Sequence, residues 1–207
     1  MAGIDIGQPA PTFRLPAGDG GQVGLDDYRG RSNVIVWFTK GMACPFCRTQ
    51  MSQLARSYPR LKAAGAEVLQ VTPTKPARAQ FYARNFPIPF RYLCDPDYEV
   101  HRAWGLGVRS HSLGWYAKTL MAVSRMPMPP PAEIGDPRPT LGERPTLLHD
   151  TDMGFFVLDR DGIVRYKACG GYAGPEGVRE IPSADEILRA LERCGGPPAP
   201  QAGAASG

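Results

Sequence analysis

Residues 33–48 read Asn33-Val34-Ile35-Val36-Trp37-Phe38-Thr39-Lys40-Gly41-Met42-Ala43-Cys44-Pro45-Phe46-Cys47-Arg48. The first six form a near-continuous apolar run, the pattern of a strand buried on both faces. From Cys44 the period changes. Cys47, Met51, Leu54, Tyr58 and Leu61 fall at helical steps along one face, which predicts an amphipathic helix to about Ala64. Pro59 is expected to end or kink that helix, and Gly65 to stop whatever continues. A buried strand therefore gives way, through a short loop, to a helix that begins with Cys-x-x-Cys.

Each residue type has a chemical use there. A thiolate at a helix start faces unpaired backbone N–H groups and the positive end of the dipole, so Cys44 is expected to have a lowered pKa. Pro45 suits the first helical position because its missing N–H costs nothing there. Cys47 falls about one turn along, close enough to attack a mixed disulfide formed at Cys44. Lys40 and Arg48 add positive charge that favours a thiolate, and Gly41 permits a tight loop that leaves Cys44 uncovered.

Working outward, Thr12–Leu15 and Gln22–Leu25 flank a Gly/Asp turn and predict a hairpin. Glu67–Thr72 and Phe90–Leu93 read as strands, Pro76–Asn85 as a helix and Tyr98–Trp104 as a further helical turn or two. Gly154–Asp159 and Ile163–Ala168 are joined by Arg160-Asp161-Gly162, a strong hairpin signal. Ser183 can cap a last helix, Ala184–Arg193, with Asp185 and Glu186 in its first turn. Strand, helix, strand, helix, antiparallel hairpin and closing helix make an α/β sandwich with a mixed sheet.

Composition agrees with a folded chain: 207 residues, 43% hydrophobic and 21% charged, enough apolar material for a sizeable core. No window approaches the roughly 18 apolar residues of a membrane helix. The opening Met1–Gly7 lacks a basic and an apolar export region, so a cytoplasmic location is expected, with no membrane partner. The net charge of +4 is spread as single arginines, which argues against nucleic-acid binding. Proline clusters at Met126–Pro131 and at Pro137, Pro139 and Pro145 read as a long irregular insertion at about 106–152 in one domain over 1–195. Residues 196–207 read as a disordered tail.

Five cysteines are an odd number for a disulfide scaffold and direct attention to thiol chemistry. A structural zinc site would need a second ligand pair, and Cys94, Cys169 and Cys194 are each alone. Two buried structural thiols are the blander reading of Cys44 and Cys47. Cys94 looks like a core thiol, Cys169 like a distant resolving partner, and Cys194 like a candidate for an intermolecular bond. Met42 and Met153 are expected near Cys44, where thiolates and thioethers would suit Cu(I), with His149 as a further ligand. The plainer reading has the methionines lining a substrate surface. No metal and no other cofactor is assigned. His101 and His111 read as a surface or satisfied core histidine.

Five segments together resemble the thioredoxin-fold, peroxiredoxin-like family known as alkyl hydroperoxide reductase/thiol-specific antioxidant, or redoxin. They are Gly7–Phe13, Leu25–Gly30, Cys44–Arg48, Cys94–Asp97 and Phe155–Gly162. The resemblance covers about residues 5–194. It implies a thioredoxin-like three-layer sandwich and a cysteine, matching Cys44, that attacks a peroxide or disulfide. It also implies that a cellular thiol donor such as thioredoxin or glutathione returns the electrons. A homodimer is an open expectation.

Two departures stand out. The family's Pro-x-x-x-Thr-x-x-Cys places its threonine at Gly41 and its proline at Trp37, with Thr39 nearby but out of register. The family's peroxide-holding arginine falls at Met153. The Pro-Phe pair inside Cys-x-x-Cys is similar to that of glutaredoxins. The expected function is therefore a thiol-disulfide oxidoreductase, Cys44 attacking and Cys47 resolving, with Thr39, Lys40, Arg48 and Met153 as tuning or substrate-binding residues. A thiol-dependent peroxidase is the alternative enzyme. A binding protein that kept the fold, or a Cu(I) carrier, is the non-enzymatic alternative.

Overall fold

The computed structural model describes residues 3–109, 111–125, 130–138, 140–143, 150–171, 173–174 and 177–195. The N-terminal hairpin pairs β1 (Arg14–Pro16) with β2 (Gln22–Gly24), with Leu15 opposite Val23. The buried run is β3 (Asn33–Phe38), every residue of it buried. It is followed by α1 (Pro45–Ala63), β4 (Ala66–Thr72), α2 (Pro76–Asn85), β5 (Arg91–Cys94) and α3 (Glu99–Ala103). Then come β6 (Val108–Arg109), α4 (Leu113–Ser124), β7 (Asp150–Leu158), β8 (Val164–Gly171), the short pair β9 (Ala173–Gly174) and β10 (Gly177–Val178), and α5 (Ala184–Glu192).

The central sheet is mixed. β5, β4 and β3 run parallel, β7 joins β3 antiparallel, β8 joins β7, and β6 pairs with the first residues of β7. Alternation along β3 explains the layers, since successive side chains of a strand point to opposite faces. Ile35 and Trp37 pack with Met51, Leu54 and Leu61 of α1 and Ile187 and Leu191 of α5. Val34, Val36 and Phe38 pack with Phe13, Val23 and Trp104 on the other face, under the hairpin and α3. Two cores on one sheet make the three-layer sandwich of the thioredoxin fold.

Several expectations shift. Helix α1 runs unbroken through Pro59. That residue lies on the exposed face, where a carbonyl left without its helical donor meets water, while Leu54 and Leu61 hold both halves on the core. Strand β7 begins at Asp150 rather than Gly154, because Thr151 finds a partner in Val108. The insertion is not irregular throughout. It carries α4 and a helical turn at Leu141–Glu143, and its Ile134 is fully buried in the main core. The run Met126–Pro129 and the tail lie outside the described residues. No described helix is long and apolar enough to cross a membrane.

Candidate active site

The cysteine loop leaves β3 at its C-terminal end. Thr39 N–H still donates to Val71 O at 3.1 Å, and the chain then turns at Gly41, whose φ is +73°. Thr39 Oγ1 accepts the Gly41 N–H at 2.8 Å, and Gly41–Ala43 close a single tight helical turn. Cys44 is the N-cap of α1 with Pro45 at its first position, and Cys44 Sγ accepts the Cys47 N–H at 3.4 Å. The two cysteines are thus one turn apart at the helix start, both reduced and both buried. Cys44 is 4% exposed and Cys47 not at all.

The thiol's electrostatics depart from the expectation. Burial pushes the Cys44 pKa well up, and the neighbouring Cys47 adds to that; Lys40 and the Cys47 N–H oppose it. Here desolvation outweighs the helix end, because burial penalises the charged form, so the neutral thiol of Cys44 is favoured.

Of the other predicted site residues, Lys40 favours the charged form of Cys44 electrostatically but does not offset the burial. Arg48 does not serve chiefly as a thiolate partner. Its buried guanidinium donates to Met42 O at 2.8 Å and Ala43 O at 3.4 Å and pairs with Asp136 at 2.6 Å, so it braces the loop from behind. The Thr39 hydroxyl is likewise engaged, by the Gly41 N–H and by Gln70 Nε2 at 3.5 Å, and is a turn-shaping group. Met42 and Met153 share the buried cluster of Cys44 and Cys47. His149 lies outside the described residues, among which no group of three or more His, Cys, Asp or Glu is placed to hold a metal ion.

Cys94 is a fully buried core residue whose thiol burial pushes up to about 11. Cys169 stands opposite Gly154, in step with Lys167, while its neighbours Ala168 and Tyr166 pack on the α1 core. It therefore faces away from Cys44 and is not placed as a resolving partner. Cys194 Sγ donates to Ala190 O at 3.3 Å, within the end of α5.

Sequence patterns missed three contributors: Tyr92, whose hydroxyl accepts the Met42 N–H at 3.0 Å; Thr74, paired with that hydroxyl at 2.8 Å; and Asp136. No local signal marked them, since each reaches the loop from a distant element. A cleft of about 240 Å³ beside the loop is lined by Lys40, Ala43, Thr74, Lys75, Arg78 and Glu143, among others.

A buried strand, a Cys-x-x-Cys at a helix start and a three-layer mixed sheet define a thioredoxin-fold, cysteine-dependent oxidoreductase. Comparison with known proteins narrows this class. The AhpC/TSA family model matches residues 6–167, and the chain belongs to that family. A Mycobacterium tuberculosis protein named as a peroxiredoxin is 36% identical over 119 residues, 58% of this chain and 73% of its own length. Peroxiredoxin Bcp of Escherichia coli is 33% identical over 106 residues, 51% of this chain and 67% of its own. The crystal structure of peroxidoxin BcpB from Mycobacterium tuberculosis superposes with a TM-score of 0.57 at 15% identity, covering 92% of this chain and 97% of that one. That last likeness bears on the fold alone.

Proposed function

We propose that the protein is a thiol-dependent peroxidase in which Cys44 attacks and Cys47 resolves. The carrying observation is the contact between the two cysteines at the start of α1, with the Cys47 N–H on Cys44 Sγ. Membership of the AhpC/TSA family and the names of the relatives support peroxide, rather than a disulfide, as the oxidant. When water reaches Cys44, the thiol loses its proton and attacks one peroxide oxygen. An S–O bond forms, the O–O bond breaks, and the departing oxygen takes up a proton as alcohol or water. Cys47 then attacks the Cys44 sulfenic acid; a disulfide forms and water leaves. Two electrons from a cellular thiol donor of the thioredoxin or glutathione type restore both thiols. A cytoplasmic setting and a homodimer belong to the same reading.

A second reading, a dithiol-disulfide oxidoreductase, is favoured by Gly41 and Met153 standing where the resemblance calls for threonine and arginine. Stopped-flow oxidation of the reduced protein by hydrogen peroxide and by a small organic disulfide separates the two. The peroxidase reading expects faster reaction with peroxide and one Cys44–Cys47 disulfide by peptide mass spectrometry. Reaction with the disulfide alone would refute it.

A further inference from the structure

The cleft beside the cysteine loop is small and its charge is unbalanced. It holds about 240 Å³, and its charged walls are Lys40, Lys75, Arg78 and Glu143. One cation is already engaged. Arg78 Nε donates to Glu143 Oε2 at 3.2 Å, and its guanidinium lies 4.4 Å from the centres of the Phe81 and Tyr82 rings. The Glu143 carboxylate is taken up as well, since it also accepts from the Tyr82 hydroxyl and from the Thr140 N–H and hydroxyl, the latter two at 2.8 Å. Arg78 and Glu143 cancel. Lys40 and Lys75 are the charge that the cleft presents.

The two lysines differ in setting. Lys40 is 9% exposed and leads into the turn before Cys44. Lys75 is exposed and makes no ion pair among the described residues. It stands at the N-cap of α2 with no side-chain cap bond, and the first turn of that helix holds no acidic residue. The positive end of the helix dipole therefore adds to the two amines. A cleft lined by one sign of charge gathers ligands of the other.

The cleft is tied to the reacting thiol at two points. Ala43, which lines it, is the residue before Cys44, and Lys40, which also lines it, favours the ionised form of that thiol. Its volume is that of roughly eight water molecules in the liquid, below the roughly 300–1,000 Å³ of a pocket for a whole ligand. Such a space suits one short anionic arm of a substrate.

We propose that this cleft is a specificity subsite for organic hydroperoxides that carry an anionic group, with Lys75 and Lys40 holding the anion while the peroxide reaches Cys44. This assignment rests on the peroxidase reading and names its substrate class. The probes are cumene hydroperoxide bearing a para-carboxylate and the methyl ester of the same compound, which share the peroxide and differ in charge. Reduced wild type, Lys75→Gln, Lys75→Glu and Lys118→Gln are mixed rapidly with each, and Cys44 oxidation is followed. The ratio of acid to ester rates cancels any general loss of Cys44 reactivity. Lys118 is exposed on α4, away from the cleft walls, and controls for net charge.

The wild-type ratio should be about five at low salt, the scale of partly exposed charge pairs, and should fall towards one as salt is added. Lys75→Gln should bring it to about two and Lys75→Glu to about one, with Lys118→Gln at the wild-type value. A ratio that ignores both Lys75 substitutions would overturn the inference. So would an equal drop in Lys118→Gln, which would assign the preference to net charge. A wild type that reacts with neither hydrogen peroxide nor the organic probes would remove the peroxidase reading and this inference with it. Normal reaction with hydrogen peroxide, together with equal acid and ester rates, would remove the inference alone.

Discussion

Two regions meet at the C-terminal end of the sheet and are held there by different physics. The cysteine loop, Thr39 to Cys44, is fixed by buried neutral hydrogen bonds: Thr39 to the Gly41 N–H, and Tyr92 to the Met42 N–H. The insertion segment 130–138 is held by the buried Ile134 and Pro137, by bonds between Glu133 and Ser52, and by ion pairs that each have a solvent-exposed side chain. Arg48 pairs with Asp136, whose side chain is 70% exposed, and Arg56 with Glu133 at 2.9 Å. Breaking a buried bond and stranding its partner costs about 1–3 kcal/mol, whereas an exposed ion pair contributes roughly 0–1 kcal/mol and weakens with salt. The difference assigns the roles. The loop is the part tied by buried bonds that keeps Cys44 and Cys47 in register, and segment 130–138 is the part whose ion pairs are open to solvent and salt.

The largest effect expected from this comparison is on the thiol itself. Because burial raises the Cys44 pKa, its thiolate fraction is below that of a free cysteine. It should grow about tenfold per pH unit, so iodoacetamide alkylation should rise about a hundredfold between pH 6.5 and 8.5 without levelling off. A plateau below pH 8 would show that the open, water-stabilised thiolate dominates and that the loop is not closed in solution.

Next in size is Gly41→Ala. A left-handed backbone and overlap with Tyr92 should cost about 1–3 kcal/mol. Thermal unfolding should drop at roughly 2–4 °C per kcal/mol for a chain of this size. An unchanged Tm would mean that the loop relaxes as easily as segment 130–138, which would erase the contrast.

The smallest effect should come from Asp136→Asn. Stability should change by less than about 1 kcal/mol, while Cys44 alkylation accelerates severalfold because the brace on Arg48 is lost. Added salt should speed alkylation of the wild type towards the variant and leave the variant unaffected. Equal rates with and without the pair would show that segment 130–138 does not gate the site.

Much of this arrangement is legible along the chain. The unbroken apolar run of β3, the helical spacing of Cys47, Met51, Leu54 and Leu61, and the Asp161-Gly162 turn between β7 and β8 are local patterns with local causes. So are the Pro45 start and the Ser183 cap, whose hydroxyl accepts the Glu186 N–H at 3.2 Å. What depends on burial is not legible in the sequence. Arg48 looks like a charge for the thiolate until its carbonyl partners are seen, and Cys169 looks available until the pleat shows which face it takes. Helix α4 was hidden by the prolines that follow it, which set the tone of a segment whose first half is helical.

The sequence alone determined the main succession of strands and helices around the sheet and the pair Cys44 and Cys47 at a helix start, because periodicity, turn chemistry and capping act over a few residues. Tertiary structure alone decided that the thiol is buried and its pKa raised. It also decided that the hydroxyl accepting the Met42 N–H belongs to Tyr92, fifty residues further on. Desolvation and long-range contact depend on which distant side chains converge, and spacing along a chain carries no record of that.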